Sequence, residues 1–169
     1  TPETTTKIGF KDNDTQFDTS NVQYIMNPYD EWYALVRAVE LKEQNEGSKV
    51  TLVNVGPAAN DSILRKGLAI GADQALRIDA EPQSAFFVAA QIAQYAKGMD
   101  VILLGKETID YNGSEVGGIL AELIDMPFIS YATDLQMDGN VATITREIEG
   151  GKEIVQVQTP FVVSAAKGM

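Results

Sequence analysis

Apolar and polar positions along the chain predict strands separated by helices. Short apolar runs rich in β-branched residues predict strands at residues 50–55, 74–78, 101–104 and 128–132. The segments between them carry apolar residues at helical spacing. Strands that alternate with helices are typical of βαβ units, whose crossover helices cover both faces of a parallel sheet. We therefore expect an α/β fold with a doubly wound, mostly parallel sheet.

The first helix is predicted to begin near Asn27. Asn27 is a suitable N-cap, Pro28 suits the first helical position, and Asp30 places negative charge at the positive end of the helix dipole. Apolar residues at helical spacing indicate one buried stripe, formed by Trp32, Leu35, Val36 and Val39. The sequence thus predicts an amphipathic helix that ends near Gly47.

The pattern changes after residue 132. Asp138-Gly139 and Gly150-Gly151 each separate two runs with strand character, which is typical of β-hairpins. A last apolar run, residues 161–165, predicts one more strand. We expect an antiparallel hairpin patch near the C-terminus, within a single domain that covers residues 1–169.

Composition narrows the possible functions. The formal net charge is −11, and lysine and arginine are scattered, which argues against a nucleic-acid partner. Cysteine and histidine are absent, so disulfides, Cys/His zinc sites and Ser–His–Asp catalysis cannot occur within this chain. No apolar run reaches the roughly 18 residues of a membrane span, and no metal site is predicted. The lack of cysteine fits a reducing compartment.

Ligands of open α/β sheets bind at the carboxyl ends of the strands. The candidate sites are therefore three loops, those after Val55, Ile78 and Leu104. The third, residues 105–117, is long, polar and glycine-bearing, and it leads into a predicted helix whose free N–H groups can hold a phosphate. The alternative is structural: Gly113 forms a turn and Gly117 a close helix contact. The loop has neither the Walker A pattern nor the G-x-G-x-x-G spacing.

Other side chains suggest further chemistry. Asp110 and Glu115 can be interpreted as paired carboxylates for acid–base catalysis, although acidic residues in such loops are more often caps and turn formers. Trp32 lies on the apolar stripe and is predicted to be in the core. Tyr29, in the first turn of the helix, is the better candidate for a ligand contact.

Four segments in the same order resemble the electron transfer flavoprotein beta subunit family. The first contains Met26-Asn27-Pro28-Tyr29-Asp30-Glu31, the second spans residues 64–73 (LRKGLAIGAD), and the third spans residues 103–110 (LLGKETID). The fourth, residues 144–153, continues to residues 159–164 and fits the family signature of basic, acidic and glycine positions before a proline. Together these segments extend over nearly the whole chain.

The resemblance implies a Rossmann-like fold of the adenine-nucleotide alpha-hydrolase type. It also implies a heterodimer with an alpha subunit, with which it shares FAD, while this chain binds AMP or, in electron-bifurcating members, a second FAD. Such a subunit carries electrons from acyl-CoA-type or other dehydrogenases to an acceptor and has no catalytic side chains of its own. The implied compartment is the bacterial cytoplasm, with the mitochondrial matrix as the eukaryotic alternative.

The family's nucleotide contacts map onto three parts of this sequence. They are Asn27, Pro28, Tyr29 and Asp30; Val55; and Gly105, Lys106, Asp110, Tyr111, Asn112, Gly113, Ser114, Glu115, Val116 and Gly117. By this resemblance, Asn27 and Asp110 orient the adenosine and ribose. Backbone N–H groups of residues 111–117 take the phosphate, and Tyr29 approaches the isoalloxazine edge.

The sequence departs from the family in three places. The family's opening strand is expected before Thr1, and its partner-docking segment is expected after Met169, so we expect the chain to be incomplete at both ends. The family's N-Q-T-G stretch appears as residues 114–117 (SEVG), closer to the Q-V-G of bifurcating members. Glu115 in place of Gln repels a contacting phosphate by roughly 1–4 kcal/mol.

Two rival functions stay open at this point. One is a stand-alone adenine-nucleotide-binding module of the universal-stress type, a sensor without a redox partner, although its glycine-rich phosphate loop is not visible here. The other is a hydrolase that uses Asp110 or Glu115.

Overall fold

The computed structural model describes all residues from Thr1 to Met169. A short 3₁₀ turn, Ala58–Asn60, precedes the second helix. The strands and α-helices, in chain order, are β1 Phe10–Lys11, β2 Gln16–Phe17, α1 Asp30–Gln44, β3 Thr51–Val55, α2 Asp61–Ile70, β4 Gln74–Ile78, α3 Ala85–Ala96, β5 Val101–Gly105, α4 Val116–Leu123, β6 Phe128–Asp138, β7 Val141–Ile148, β8 Gly151–Gln158 and β9 Phe161–Ala165.

The strands form three separate sheets within a mixed α/β fold, so the expected α/β class is confirmed. β3 and β4 pair in parallel by themselves, and β1 and β2 form a small antiparallel pair. The remaining strands form a five-stranded sheet in the order β5-β9-β6-β7-β8. In that sheet β9 is parallel to β5 and β6, whereas β7 is antiparallel to β6 and β8. The predicted hairpins therefore contribute as much of the sheet as the parallel strands.

The last strand forms the centre of this sheet. After the two hairpins the chain returns, and β9 inserts between β5 and β6. All five of its residues are buried, and Phe161, Val162 and Val163 have no exposed surface. Burying such a side chain contributes roughly 1.5–3 kcal/mol, so β9 fixes the relative position of β5 and β6.

Helices cover both faces of the five-stranded sheet. On one face α1 packs against β5 and β9, and Leu41 joins the larger core cluster with Leu135, Ile144 and Phe161. On the other face α3 and α4 pack together around Ala89, Ala96 and Leu120. The structure contains no helix with the length and apolar character needed to cross a membrane.

The start of α1 differs from the prediction. The helix begins at Asp30, with Tyr29 at the N-cap position and no capping side chain. Asn27 is not a cap because its side-chain amide bonds to a residue far away in the sequence, as described below. On the predicted stripe Leu35 is buried, whereas Trp32 is partly exposed, with Lys66 Nζ 5.7 Å from its ring centroid.

Candidate functional site

The amino-terminal end of α1 meets the carboxyl end of β5. Asn27, which is 3% exposed, donates from Nδ2 to the Glu107 carbonyl oxygen at 2.9 Å. Asp30, which is 7% exposed, accepts the Glu107 N–H on Oδ2 at 3.1 Å. Two buried side chains therefore hold both backbone polar groups of the second residue after β5.

A third residue of α1 supports the same junction. The Glu31 carboxyl group packs on Gly105, where an added Cβ would lie 2.8 Å from Cδ and from the backbone N of Glu31. Glu31 Oε2 and Asn27 Oδ1 are buried without a hydrogen-bond partner. Only glycine leaves room for this close approach of helix and strand.

Burial changes the proton affinity of both acids at this junction. It raises the pKa of Asp30, opposed by the Glu107 N–H and the nearby Lys106 charge. It also raises the pKa of Glu31, opposed chiefly by the Asn27 side chain. The α1 side of the site is therefore rich in acidic groups, and it disfavours an anionic ligand group.

Lys106 supplies positive charge beside these acids. Its backbone N–H donates to the Ala165 oxygen at 2.9 Å, which extends the β5–β9 pairing by one residue. Its Nζ lies 2.9 Å from Glu107 Oε1 and 5.0 Å from the Tyr131 ring centroid. The Glu107 hydrogen bond is the main cause that raises the pKa of Lys106, so this charge is held next to the protein's own carboxylate.

The loop from residue 106 to residue 115 leads to α4 with many unpaired donors. The backbone N–H groups of residues 113–118 donate no hydrogen bond within the chain. Asn112 and Ser114 have left-handed backbone angles, with φ of 54° and 53°. For residues other than glycine such angles are uncommon and store strain, which is frequent at ligand sites. This run of free N–H groups at a helix start can hold an anion.

The two acids of the loop differ in their surroundings. Burial raises the pKa of Asp110, but interactions with Thr108, with its own backbone and with Thr1 outweigh that effect, so the net pKa is lowered. A carboxylate with a lowered pKa is a weak general base near neutral pH. Glu115 is exposed at the N-cap position of α4 and makes no capping bond.

Gly117 makes the close helix contact that the sequence suggested as a structural role for this glycine. An added Cβ would lie 2.8 Å from the Phe128 ring and 3.0 Å from Leu104 Cδ1, so α4 packs closely on β5 and β6. Gly113 lies in the loop against the ring of Tyr111, which is 80% exposed.

The structure brings most of the sequence-predicted residues together but leaves Val55 apart. Asn27, Asp30, Gly105 and Lys106 meet at the junction of α1 and β5, and residues 110–117 form the loop and helix start that follow it. Val55 is buried at the end of β3, which belongs to the separate β3–β4 sheet, and it pairs there with Ile78. Pro28 and Tyr29 are exposed beside the start of α1, Tyr29 by 51%.

Sequence reasoning missed Glu31 and Glu107 as parts of the site. In the sequence Glu31 stands out only as part of the first family-like segment, and Glu107 only as a loop residue within the third. Their positions in the sequence could have indicated a role in the site, because Glu107 comes two residues after a strand end and Glu31 directly follows Asp30.

Comparisons with known proteins identify the family. Residues 14–169 match the family model described as "Electron transfer flavoprotein domain". The chain is 32% identical over 161 residues to "Electron transfer flavoprotein subunit beta" of Bradyrhizobium diazoefficiens, covering 94% of this chain and 64% of the relative. The subunit so named in Bacillus subtilis is 36% identical over 153 residues, covering 87% and 59%. That of Homo sapiens is 34% identical over 167 residues, covering 94% and 65%.

These matches confirm the resemblance drawn from the four sequence segments. The chain spans between 59% and 65% of the length of these three relatives. The family model covers nearly the whole chain, and each relative is matched over most of it. The chain therefore belongs to the electron transfer flavoprotein family.

Proposed function

We propose that this chain is the nucleotide-binding part of an electron transfer flavoprotein beta subunit. With an alpha subunit it carries electrons through bound FAD, from acyl-CoA-type or other dehydrogenases to an acceptor. The flavin supplies the electron chemistry, and the side chains of this chain bind and orient. The names of the relatives support the role in electron transfer.

We infer that the β3–β4 sheet and the five-stranded sheet belong to one doubly wound architecture of the Rossmann-like, adenine-nucleotide alpha-hydrolase type. Two observations support this inference. α3 packs both on β3 and on α4, so one helix layer extends from one sheet to the other. β3 and β5 also each end in a loop that leads into a helix, as strands of such folds do.

The run of free N–H groups at residues 113–118 is the observation that carries nucleotide binding. It lies at the carboxyl end of β5 and at the start of α4, where backbone donors and the helix dipole favour a phosphate. The acids Asp30 and Glu31 lie on the α1 side of the junction. We therefore expect the phosphate at residues 113–118 and the uncharged adenosine part elsewhere, with Asp110 at the ribose and Tyr29 facing the flavin of the alpha subunit.

AMP and a second FAD are both compatible with this site, because they share the adenine, ribose and phosphate groups. Exposed Glu115 disfavours a phosphate nearby unless its side chain turns to solvent. The compartment we propose is the bacterial cytoplasm, or the mitochondrial matrix if the source is a eukaryote; the Arabidopsis thaliana relative is named mitochondrial.

Co-expression with an alpha-type subunit from the same organism tests the proposal. The purified complex is denatured, and the released nucleotides are identified and counted by chromatography. One FAD and one AMP per heterodimer are expected for an ordinary member, and two FAD for a bifurcating one. A complex that releases no flavin would contradict the proposal, and so would a failure of the two subunits to co-purify.

A further inference from the structure

The two hydrogen bonds to Glu107 join parts of the chain that are far apart in sequence. Asn27 Nδ2 reaches the Glu107 carbonyl across 80 positions, and Asp30 Oδ2 reaches its N–H across 77 positions. Both side chains are more than nine-tenths buried. Hydrogen bonds between buried groups, and bonds to a charged acceptor such as Asp30, contribute more to stability than exposed neutral ones.

This geometry changes the role that family resemblance suggests for the two side chains. The Asn27 amide donor and one Asp30 oxygen are already used within the protein, and little of either side chain is open to a ligand. Direct ligand contact would require these buried bonds to break.

What the two side chains do control is the path of the loop. Lys106 is still attached to the sheet through its bond to Ala165, and Glu107 is the next residue. Beyond it the loop has few bonds of its own. The Asn112 N–H donates to Thr108, and the Ser114 hydroxyl donates to Glu107 Oε2 at 3.3 Å. Glu107 is therefore the last firm anchor before the strained residues Asn112 and Ser114.

We propose that Asn27 and Asp30 are positioning residues that fix Glu107 and so hold the following loop in the conformation that binds the nucleotide phosphate. This inference rests on the proposed function, because it assumes that residues 113–118 receive a phosphate. A loop released from Glu107 populates the binding conformation only part of the time, and the apparent affinity falls by that fraction.

The test uses the protein co-purified with its alpha-type subunit and freed of AMP. Asp30→Ala removes the acceptor, whereas Asp30→Asn keeps an oxygen in its place without the charge. Asn27→Asp removes the donor at constant size and protects the test against an alanine variant that does not fold. Glu43→Ala, at an exposed position of the same helix, is the matched control. AMP affinity is measured by titration calorimetry, and hydrogen exchange is followed at the Glu107 amide.

We expect Asp30→Ala and Asn27→Asp to weaken AMP binding roughly tenfold and to speed exchange at Glu107. Asp30→Asn should stay within about twofold of the wild type, as should Glu43→Ala. An Asp30→Asn variant that binds AMP as weakly as Asp30→Ala, while its Glu107 amide exchanges as slowly as in the wild type, would overturn the positioning role, because the loss of affinity would then not come from a released loop. Unchanged affinity in Asp30→Ala with faster exchange would also overturn it. A wild-type complex that binds neither AMP nor a second FAD would instead reject nucleotide binding itself, and this inference with it.

Discussion

Two loops of this protein occupy equivalent places yet differ in how they use their polar groups. The loop after β3, residues 56–60, is short and bonds largely within itself and to β4. The Gly56 N–H donates to Ile78, the Asn60 side chain donates to Asn54 Oδ1 at 2.9 Å, and the Gly56 carbonyl accepts from Arg77 at 3.0 Å. These bonds contribute to stability, and of the backbone N–H groups in this loop only those of Ala58 and Ala59 donate no hydrogen bond.

The loop after β5 has the opposite character. Residues 106–115 are anchored only near their start, through Lys106 and Glu107. Toward α4 they present a run of free N–H groups and two left-handed residues other than glycine. Left-handed backbone angles at residues other than glycine store strain, and such strain is frequent at ligand sites.

This difference supports our proposal that the loop after β5, rather than the loop after β3, binds the ligand. Topology alone nominated both loops, because each follows a parallel strand and leads into a helix. The hydrogen bonds separate them: the polar groups of the β3 loop are bonded largely within the protein, whereas those of the β5 loop are completed by a ligand in our account. Substitutions at the two strand ends test this contrast.

The largest effect is expected from Gly105→Ala. The added Cβ would lie 2.8 Å from the Glu31 backbone N, which cannot move as a flexible side chain can. We expect a loss of about 2–3 kcal/mol in the free energy of unfolding, measured by chemical denaturation. Gly151→Ala is the control, because nothing lies within 4 Å of its added Cβ. Equal stability of the two variants would show that α1 does not pack tightly on β5.

Glu31→Gln should stabilise the protein at neutral pH. Burial raises the pKa of the Glu31 carboxyl group, whose Oε2 has no hydrogen-bond partner, so the folded state favours the protonated form. The penalty of the charged form is present above that raised pKa and disappears as pH falls toward the ordinary value of about 4.3. We expect a gain of about 1–2 kcal/mol at pH 7 that vanishes in acid, measured by thermal unfolding across pH. A gain independent of pH would contradict the assignment, and the exposed Glu43→Gln change should show neither effect.

Asn60→Ala probes the other loop. It removes the hydrogen bond to Asn54 and should cost about 1 kcal/mol of stability. Because this loop is completed by the protein, AMP affinity in the complex should not change. A drop in AMP affinity without any loss of stability would place a ligand at the end of β3 and contradict the proposed difference between the two loops.

The smallest effect is expected from Glu115→Gln. Removing an exposed negative charge from the start of α4 should tighten AMP binding by up to about 1 kcal/mol at low salt, and less as salt screens the charge. Glu122→Gln, at an exposed position later in the same helix, is the control. Unchanged affinity at every salt concentration would show that Glu115 points away from the phosphate.

Local structure followed closely from the sequence. The strands at residues 74–78 and 161–165 have the predicted limits, because short apolar runs there are bounded by clear turn residues. Ser84 caps α3 as its position suggests, and its hydroxyl oxygen accepts the Phe87 N–H at 3.1 Å. Such features depend on neighbouring residues, which the sequence displays directly.

Long-range arrangement did not follow in the same way. The insertion of β9 between β5 and β6 depends on strand pairing between residues far apart in the sequence, such as Val101 and Phe161, which are about 60 positions apart. The periodicity of apolar residues predicts a strand but does not indicate which other strand it pairs with. The local sequence predicts Asn27 as a helix cap, but its side chain donates instead to the Glu107 carbonyl oxygen, 80 positions later. The site's loop was found from topology and resemblance, whereas its anchor at Glu107 required the fold.

The most direct test of the account follows backbone amide resonances by NMR while AMP is added to the protein. We predict large shifts and slowed hydrogen exchange at the N–H groups of residues 113–118, and no change at residues 56–60. Shifts confined to residues 56–60, or none in either loop, would contradict the claim that the loop after β5 is the nucleotide site.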